Sequence, residues 1–110
     1  MMKPTLLHIG LCVGSASMPK YFDIQTDYTE FYLDSTLMNR LTAITEAPDY
    51  IFLQIQGDKY DGNRSTLELI EPLKRLKDMG SYIVNWNGDM RNTVPSWMIP
   101  FAEAVSITCF

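Results

Sequence analysis

Two cysteines and a single histidine are all that this chain of 110 residues offers toward disulfide or metal chemistry. That is too few cysteines for a disulfide framework. Cys12 and Cys109 both fall in apolar, strand-like segments, where a free thiol behaves as a small hydrophobe and suits a reduced, cytoplasmic setting. With His8 alone and the cysteines far apart in sequence, no zinc constellation can be assembled, and no metal is expected. Basic residues are scarce as well: nine Lys and Arg stand against thirteen Asp and Glu, a net charge of −4. A protein that grips a phosphate backbone needs the opposite balance, which argues against nucleic acid as a partner. There is no run of like charges, no low-complexity tract and no internal repeat. No apolar run approaches the length of a membrane-spanning helix. Residues 6–13 resemble the core of a signal peptide, but only Lys3 precedes them and His8 interrupts them, so a buried first strand explains them better.

What remains is an ordinary globular composition, 46% hydrophobic and 20% charged, at the size of one domain. Four short apolar runs, residues 6–13, 50–56, 82–87 and 105–110, are nearly continuous in hydrophobic residues at their centres. Strands buried on both faces read this way. A weaker strand covers 29–33, where Phe31 and Leu33 alternate with Glu30 and Tyr32. Between them the spacing predicts a helix over 35–46, capped by Ser35 and presenting Leu37, Leu41 and Ile44 on one face. Ser65-Thr66-Leu67-Glu68 fits a capping box opening a second helix, with Leu69, Leu73, Leu76 and Met79 inward and Gly80 at its end. Pro72 predicts a kink inside that helix. A shorter helix spans 95–104, interrupted at Pro100, and a brief one covers 18–24.

Strand and helix alternate, which implies α/β architecture: a three-layer, Rossmann-like, five-stranded parallel sheet with right-handed crossovers. The expected strand order is 2-1-3-4-5, with 3-2-1-4-5 as the alternative. A helix after the last strand is lacking, so one sheet face should stay partly bare. Strands one and five would then expose Leu, Ile, Val and Phe, and a homo-oligomer is expected through that face.

Ligands of open parallel sheets bind beyond the carboxyl ends of the strands, near the reversal of strand order. That rule selects three segments. Gly14-Ser15-Ala16-Ser17 can offer backbone amides to an anion, or can be a plain strand-to-helix turn. Gln54 and Gln56 share one side of their strand, and their amides can meet sugar hydroxyls or the loop backbone. Asn85, Asn87 and Asp89 share a face while the chain stays extended, with Gly88 permitting a turn and Arg91 within reach of Asp89. These groups can satisfy one another or meet a ligand. Asp89 is the candidate base for deprotonating an acceptor hydroxyl; Ser15, Gln54, Gln56, Asn87 and Arg91 are the candidate substrate-binding residues. His8, in mid-strand, reads as a hydrogen-bonded core residue. A receiver domain is disfavoured because Gln54 and Gln56 stand where a phosphorylatable aspartate is needed. The loop after strand one fits a flavodoxin's phosphate loop only in part.

Several strings together resemble a known family. Leu7-His8-Ile9-Gly10, then Pro48-Asp49-Tyr50-Ile51-Phe52-Leu53-Gln54-Ile55-Gln56, then a helix ending at Gly80, then Ile83-Val84-Asn85-Trp86-Asn87-Gly88-Asp89-Met90-Arg91 and Pro95-Ser96-Trp97 are similar to the N-terminal domain of bacterial and phage glycosyltransferases of the two-domain GT-B fold, including CgeB-like proteins. The family's pattern has Thr or Ser where Asn87 stands. The resemblance implies that residues 1–110 form the acceptor-side half of a longer enzyme. Its partner would be a sugar acceptor or other small molecule. The nucleotide-sugar donor would be held by a C-terminal domain, with no cofactor or metal. The alternative is a non-catalytic Rossmann- or flavodoxin-like binding or interaction module.

Overall fold

A computed structural model describes residues 4–10, 27–55, 58–61, 64–86 and 98–109. The strands are β1 (Thr5–Gly10), β2 (Asp27–Tyr32), β3 (Tyr50–Gln54), β4 (Tyr82–Trp86) and β5 (Ile107–Cys109). The helices are α1 (Leu37–Thr42), α2 (Ile70–Asp78) and α3 (Met98–Phe101), with 3-10 turns at Thr66–Leu69 and Ala102–Ala104. Every strand pair is parallel, and the five strands lie in the order β2-β1-β3-β4-β5. This is the expected α/β, Rossmann-like architecture and the first of the two expected orders. The helix expected over 18–24 lies outside the described residues.

Alternation of side chains divides the sheet into two unlike faces. Leu7, Ile9, Ile51, Leu53 and Ile83 point to one side and join Leu37, Leu41, Leu73, Leu76 and Phe101 in a single core cluster. The described helices therefore cover one face. On the other face lie His8, Tyr28, Tyr32, Tyr50, Phe52, Gln54, Tyr82 and Trp86. Four of these aromatic side chains are substantially exposed: Tyr32, Tyr50, Tyr82 and Trp86. Strand one departs from the expectation that it would expose apolar side chains: Leu6, Leu7 and Ile9 are all buried. The exposed rings come instead from β2, β3 and β4, and from β5 only Ile107 joins them.

Helix ends show how the loops are held. Ser65 caps as expected: its Oγ accepts from the Leu67 amide at 3.2 Å, and the Glu68 carboxylate accepts from the Ser65 amide at 3.0 Å. The winding starts as a 3-10 turn and becomes α-helical at Ile70, which puts Pro72 in the first α-helical turn. A missing amide is tolerated there, in place of the kink expected for mid-helix. At α1 the N-cap is Thr36 in place of the expected Ser35, with no side-chain cap bond; Asp34 Oδ1 accepts from both the amide and the hydroxyl of Thr36 and holds the turn before the helix. Hydrogen bonding by Thr36 holds the Asp34 carboxyl below the usual carboxylate range. Arg75 ties α2 to the end of α1, donating to the Leu41 carbonyl at 2.9 Å and the Ile44 carbonyl at 3.1 Å. Lys77 donates to the Val105 carbonyl at 2.9 Å and so anchors the approach to β5. Among the described residues, no helix is long and apolar enough to cross a membrane.

Gly80 ends α2 with φ +116°. Its amide donates to the Lys77 carbonyl and that of Ser81 to the Leu76 carbonyl, both at 3.0 Å, the paired pattern of a Schellman ending. A Cβ at this position would meet nothing within 4 Å, so the cost of a side chain there is conformational and not steric. Gly80→Ala should lower unfolding free energy by about 1–2 kcal/mol. In urea titrations the midpoint should fall with an unchanged slope; an unaltered midpoint would contradict the assignment.

Candidate functional site

Strand order reverses between β1 and β3, because β1 runs on to β2 on one side while the chain returns to β3 on the other. Register sets Gly10 beside Gln54 at the carboxyl ends of these two strands, the position where such sheets form a ligand crevice. Among the described residues, Gln54 pairs with a side chain. It folds back over Gly10, and its Oε1 lies 2.5 Å from Nε2 of His8. A Cβ on Gly10 would meet that oxygen at 3.1 Å and the Gln54 Cβ at 3.2 Å. The bare glycine is what allows the carboxamide to lie there.

His8 is 1% exposed, and both ring nitrogens are engaged. Nδ1 lies 2.6 Å from the Tyr28 hydroxyl. Its ring meets the edge of Phe52 at 5.5 Å, and Phe52 in turn stacks on Trp86 at 6.3 Å and 24°. A carbonyl oxygen only accepts, so Nε2 of His8 carries the proton shared with Gln54. In the neutral ring Nδ1 then accepts from the Tyr28 hydroxyl. In the imidazolium both nitrogens donate, and the Tyr28 proton turns to Glu30. Burial foremost, then a hydrogen bond to the Glu30 carboxylate and the Glu30 and Tyr32 charges, pushes the Tyr28 hydroxyl far above the usual phenol range. The result is a polar line, Glu30–Tyr28–His8–Gln54, crossing β2, β1 and β3 on the face away from the helices.

Asn85 occupies the opposite face. It is 1% exposed, and among the described residues neither its Oδ1 nor its Nδ2 has a hydrogen-bond partner. An unpaired buried polar group costs roughly 1–3 kcal/mol. It stands at the carboxyl end of β4, in register with Leu53 and Thr108. Next to it, Trp86 returns to the Gln54 face and is 37% exposed.

A groove of about 600 Å³ opens elsewhere, at the amino ends of β1 and β2, lined in part by Thr29, Phe31, Ile44, Pro48 and Asp49. Its polar groups include a closed pair. The Asp49 carboxylate accepts from the Thr5 amide at 2.9 Å, and the Thr5 hydroxyl accepts from the Asp49 amide at 2.8 Å.

The chain matches no protein family, no curated protein and no solved structure.

Of the residues singled out in the sequence, Gln54 is placed at the carboxyl edge. Ser15, Gln56, Asn87, Asp89 and Arg91 lie outside the described residues. His8 is the hydrogen-bonded core residue expected, but sequence reasoning named neither Tyr28 nor Gln54 as its partners. The signal was parity: His8, Tyr28 and Gln54 all occupy even positions on parallel strands, which share a face once the register is known. Among the described residues, no group of His, Cys, Asp or Glu is arranged to hold a metal ion.

The raised Tyr28 hydroxyl carries a pH dependence. A folded-state value above the unfolded one leaves stability at its full level below the ordinary tyrosine range, about pH 10, and erodes it as pH rises further. Wild-type unfolding free energy should therefore decline through alkaline pH, and Tyr28→Phe should decline less steeply. Equal slopes in the two proteins would show that Tyr28 is not held protonated by its surroundings.

Proposed function

We propose that this chain is the acceptor-side domain of a sugar-transferring enzyme, with its ligand at the carboxyl edge of the sheet. The observation that carries the reading is the Gln54 carboxamide, fixed by His8 at the reversal of strand order. An amide there, bordered by the exposed Trp86 ring, suits a neutral polyhydroxylated ligand: hydroxyls for the amide, and apolar C–H faces for the indole. The string resembling the glycosyltransferases starts from the last residues of β4, beside Gln54, which supports the same edge. In this reading Asp89 is the base that takes the acceptor hydroxyl's proton, and Ser15, Gln56, Asn87 and Arg91 complete the acceptor's surroundings. Donor binding belongs to a separate domain, and the enzyme to a bacterial cytoplasm.

Catalysis needs donor and acceptor held together in one closed cleft. The isolated chain should thus transfer no sugar from UDP-, GDP- or dTDP-hexoses. Calorimetric titration with simple methyl glycosides should show weak binding that falls about tenfold in Gln54→Ala, the loss of roughly one hydrogen bond. Turnover by the chain alone, or a yellow flavin co-purifying with it, would overturn the reading in favour of another enzyme or a flavodoxin-like module.

The bare half of the second face belongs, in the same proposal, to a second copy of the chain. Tyr50 and Tyr82 pack edge to face at 6.5 Å at the amino end of this face, and Ile107 is exposed on β5. Apolar surface of this kind on a soluble protein commonly marks an interface. At ~25 cal/mol per Å², a few hundred Å² favours association by several kcal/mol before ordering costs. Light scattering at micromolar concentration should give a dimer that Tyr82→Lys dissociates; a monomeric wild type would remove this part of the proposal.

A further inference from the structure

We infer that His8 is a positioning residue that commits Gln54 to act as a donor, so that the ligand atom received at the carboxyl edge is an acceptor oxygen. For the class of ligand, a sugar hydroxyl or ring oxygen, this rests on the reading above; the polarity of Gln54 does not.

A carboxamide left to itself can present either end. Turning it over exchanges two donors for one acceptor and would reverse what the crevice selects. Here the choice is made from behind. Oε1 of Gln54 is spent on Nε2 of His8 at 2.5 Å, and the imidazole cannot rotate away. Nδ1 is engaged by the Tyr28 hydroxyl at 2.6 Å, the Phe52 edge closes on the ring at 5.5 Å, and the side chain is buried. With Oε1 of Gln54 facing it, Nε2 is the nitrogen that carries the proton, and Nδ1 meets the Tyr28 hydroxyl.

Among the described residues nothing hydrogen-bonds to Nε2 of Gln54, and the side chain is half-buried at the last position of β3. Gly10 contributes by omission. A side chain there would press on the carboxamide from below and tilt it out of the line to His8. Trp86 comes one residue after Asn85, which pairs with Leu53, so it shares the Gln54 face at the end of β4, where its exposed ring stacks on Phe52 and offers apolar surface. Preorganised donors next to an apolar wall select by leaving a mismatched ligand's polar groups unpaired.

The uniqueness of His8 makes the test direct, because its ring nitrogens are the only imidazole signals the protein can give. In 15N-labelled protein, NMR should find Nε2 protonated across the pH range of the folded state. Finding Nδ1 protonated and Nε2 bare would overturn the inference, since Gln54 would then have to donate inward and turn its oxygen to the edge. The second arm titrates methyl glucoside and follows the Gln54 side-chain NH2 resonance. A saturable shift is expected, and a parallel shift of the His8 ring nitrogens that is lost in Gln54→Glu, which keeps an acceptor for His8 but presents an acceptor to the ligand. His8→Phe keeps the ring volume and removes the latch; it should weaken the response about tenfold, and His8→Gln should restore part of it. A Gln54 response unchanged in His8→Phe, or no glycoside response while Nε2 stays protonated, overturns the donor role. Neither result bears on donor-sugar turnover, so failure here is distinguishable from failure of the sugar-transfer reading.

Discussion

A histidine buried in the middle of β1, between β2 and β3, must have both ring nitrogens satisfied, and the arrangement of these three strands follows from that requirement. Leaving one nitrogen unpaired would cost roughly 1–3 kcal/mol. His8 stands directly opposite Glu30 on β2 and Phe52 on β3. Its partners are the residues one step of the same face away: Tyr28, before Glu30, and Gln54, after Phe52. Sliding either neighbour by one residue would turn its partner to the other face, and sliding by two would put it out of reach. The apolar pattern of β1 and β3 specifies which face is buried. The His8 line specifies the register within that choice.

The helical side obeys a related constraint at its ends. Short helices leave carbonyls without intrahelical partners, and α1 has six residues with little room to satisfy its own. Arg75, reaching from α2, supplies donors to the carbonyls of Leu41 and Ile44 and holds the two helices at a fixed offset. Lys77, two residues on, does the same for the Val105 carbonyl and so fixes where β5 begins. Charged hydrogen bonds of this kind are stronger than neutral ones. Both cations thus secure connections whose apolar contacts alone are few. The carboxyl edge inherits its geometry from these ties, since β4 and β5 are aligned by the elements they anchor.

Fold class was legible because the central strands are continuous in apolar residues and the helices between them are amphipathic; strand order was less so, since periodicity is the same in both orders considered, and the structure has the favoured one. The capping box at Ser65 and the ending at Gly80 were legible because each has a local cause, a hydroxyl three residues from a carboxylate and a glycine at the end of a periodic run. The start of β2 was not. Asp27 and Tyr28 look like loop residues because an edge strand is buried on one side at most, and its alternation of Tyr28, Glu30 and Tyr32 with Thr29 and Phe31 is weak. Missing those two residues hid the partner of His8. The helix starts one residue later than the Ser35 cap implied, because Asp34 draws the Thr36 amide into a turn before the first helical residue. The buried state of Leu6 and Leu7 was missed for a different reason. Exposure on a sheet face depends on what the rest of the chain places over it, and periodicity carries no such information.

Volume and chemistry point to different ends of this sheet, and the hydrogen-bond account decides between them. The groove at the amino ends is roomy, but Thr5 and Asp49 already satisfy each other there through reciprocal bonds. At the carboxyl ends the balance is reversed. Asn85 is buried with both of its amide atoms unpaired among the described residues, and Gln54 has one end bound and the other available. Proteins retain unsatisfied buried groups where function requires them, because selection for stability alone would replace such an asparagine with an apolar residue of similar size. Parallel strands add a bias of their own, since loops leaving their carboxyl ends diverge at the reversal of strand order and open a crevice there. An edge that combines open polar valence among the described residues with that crevice is a better ligand site than a groove whose Thr5 and Asp49 are already paired.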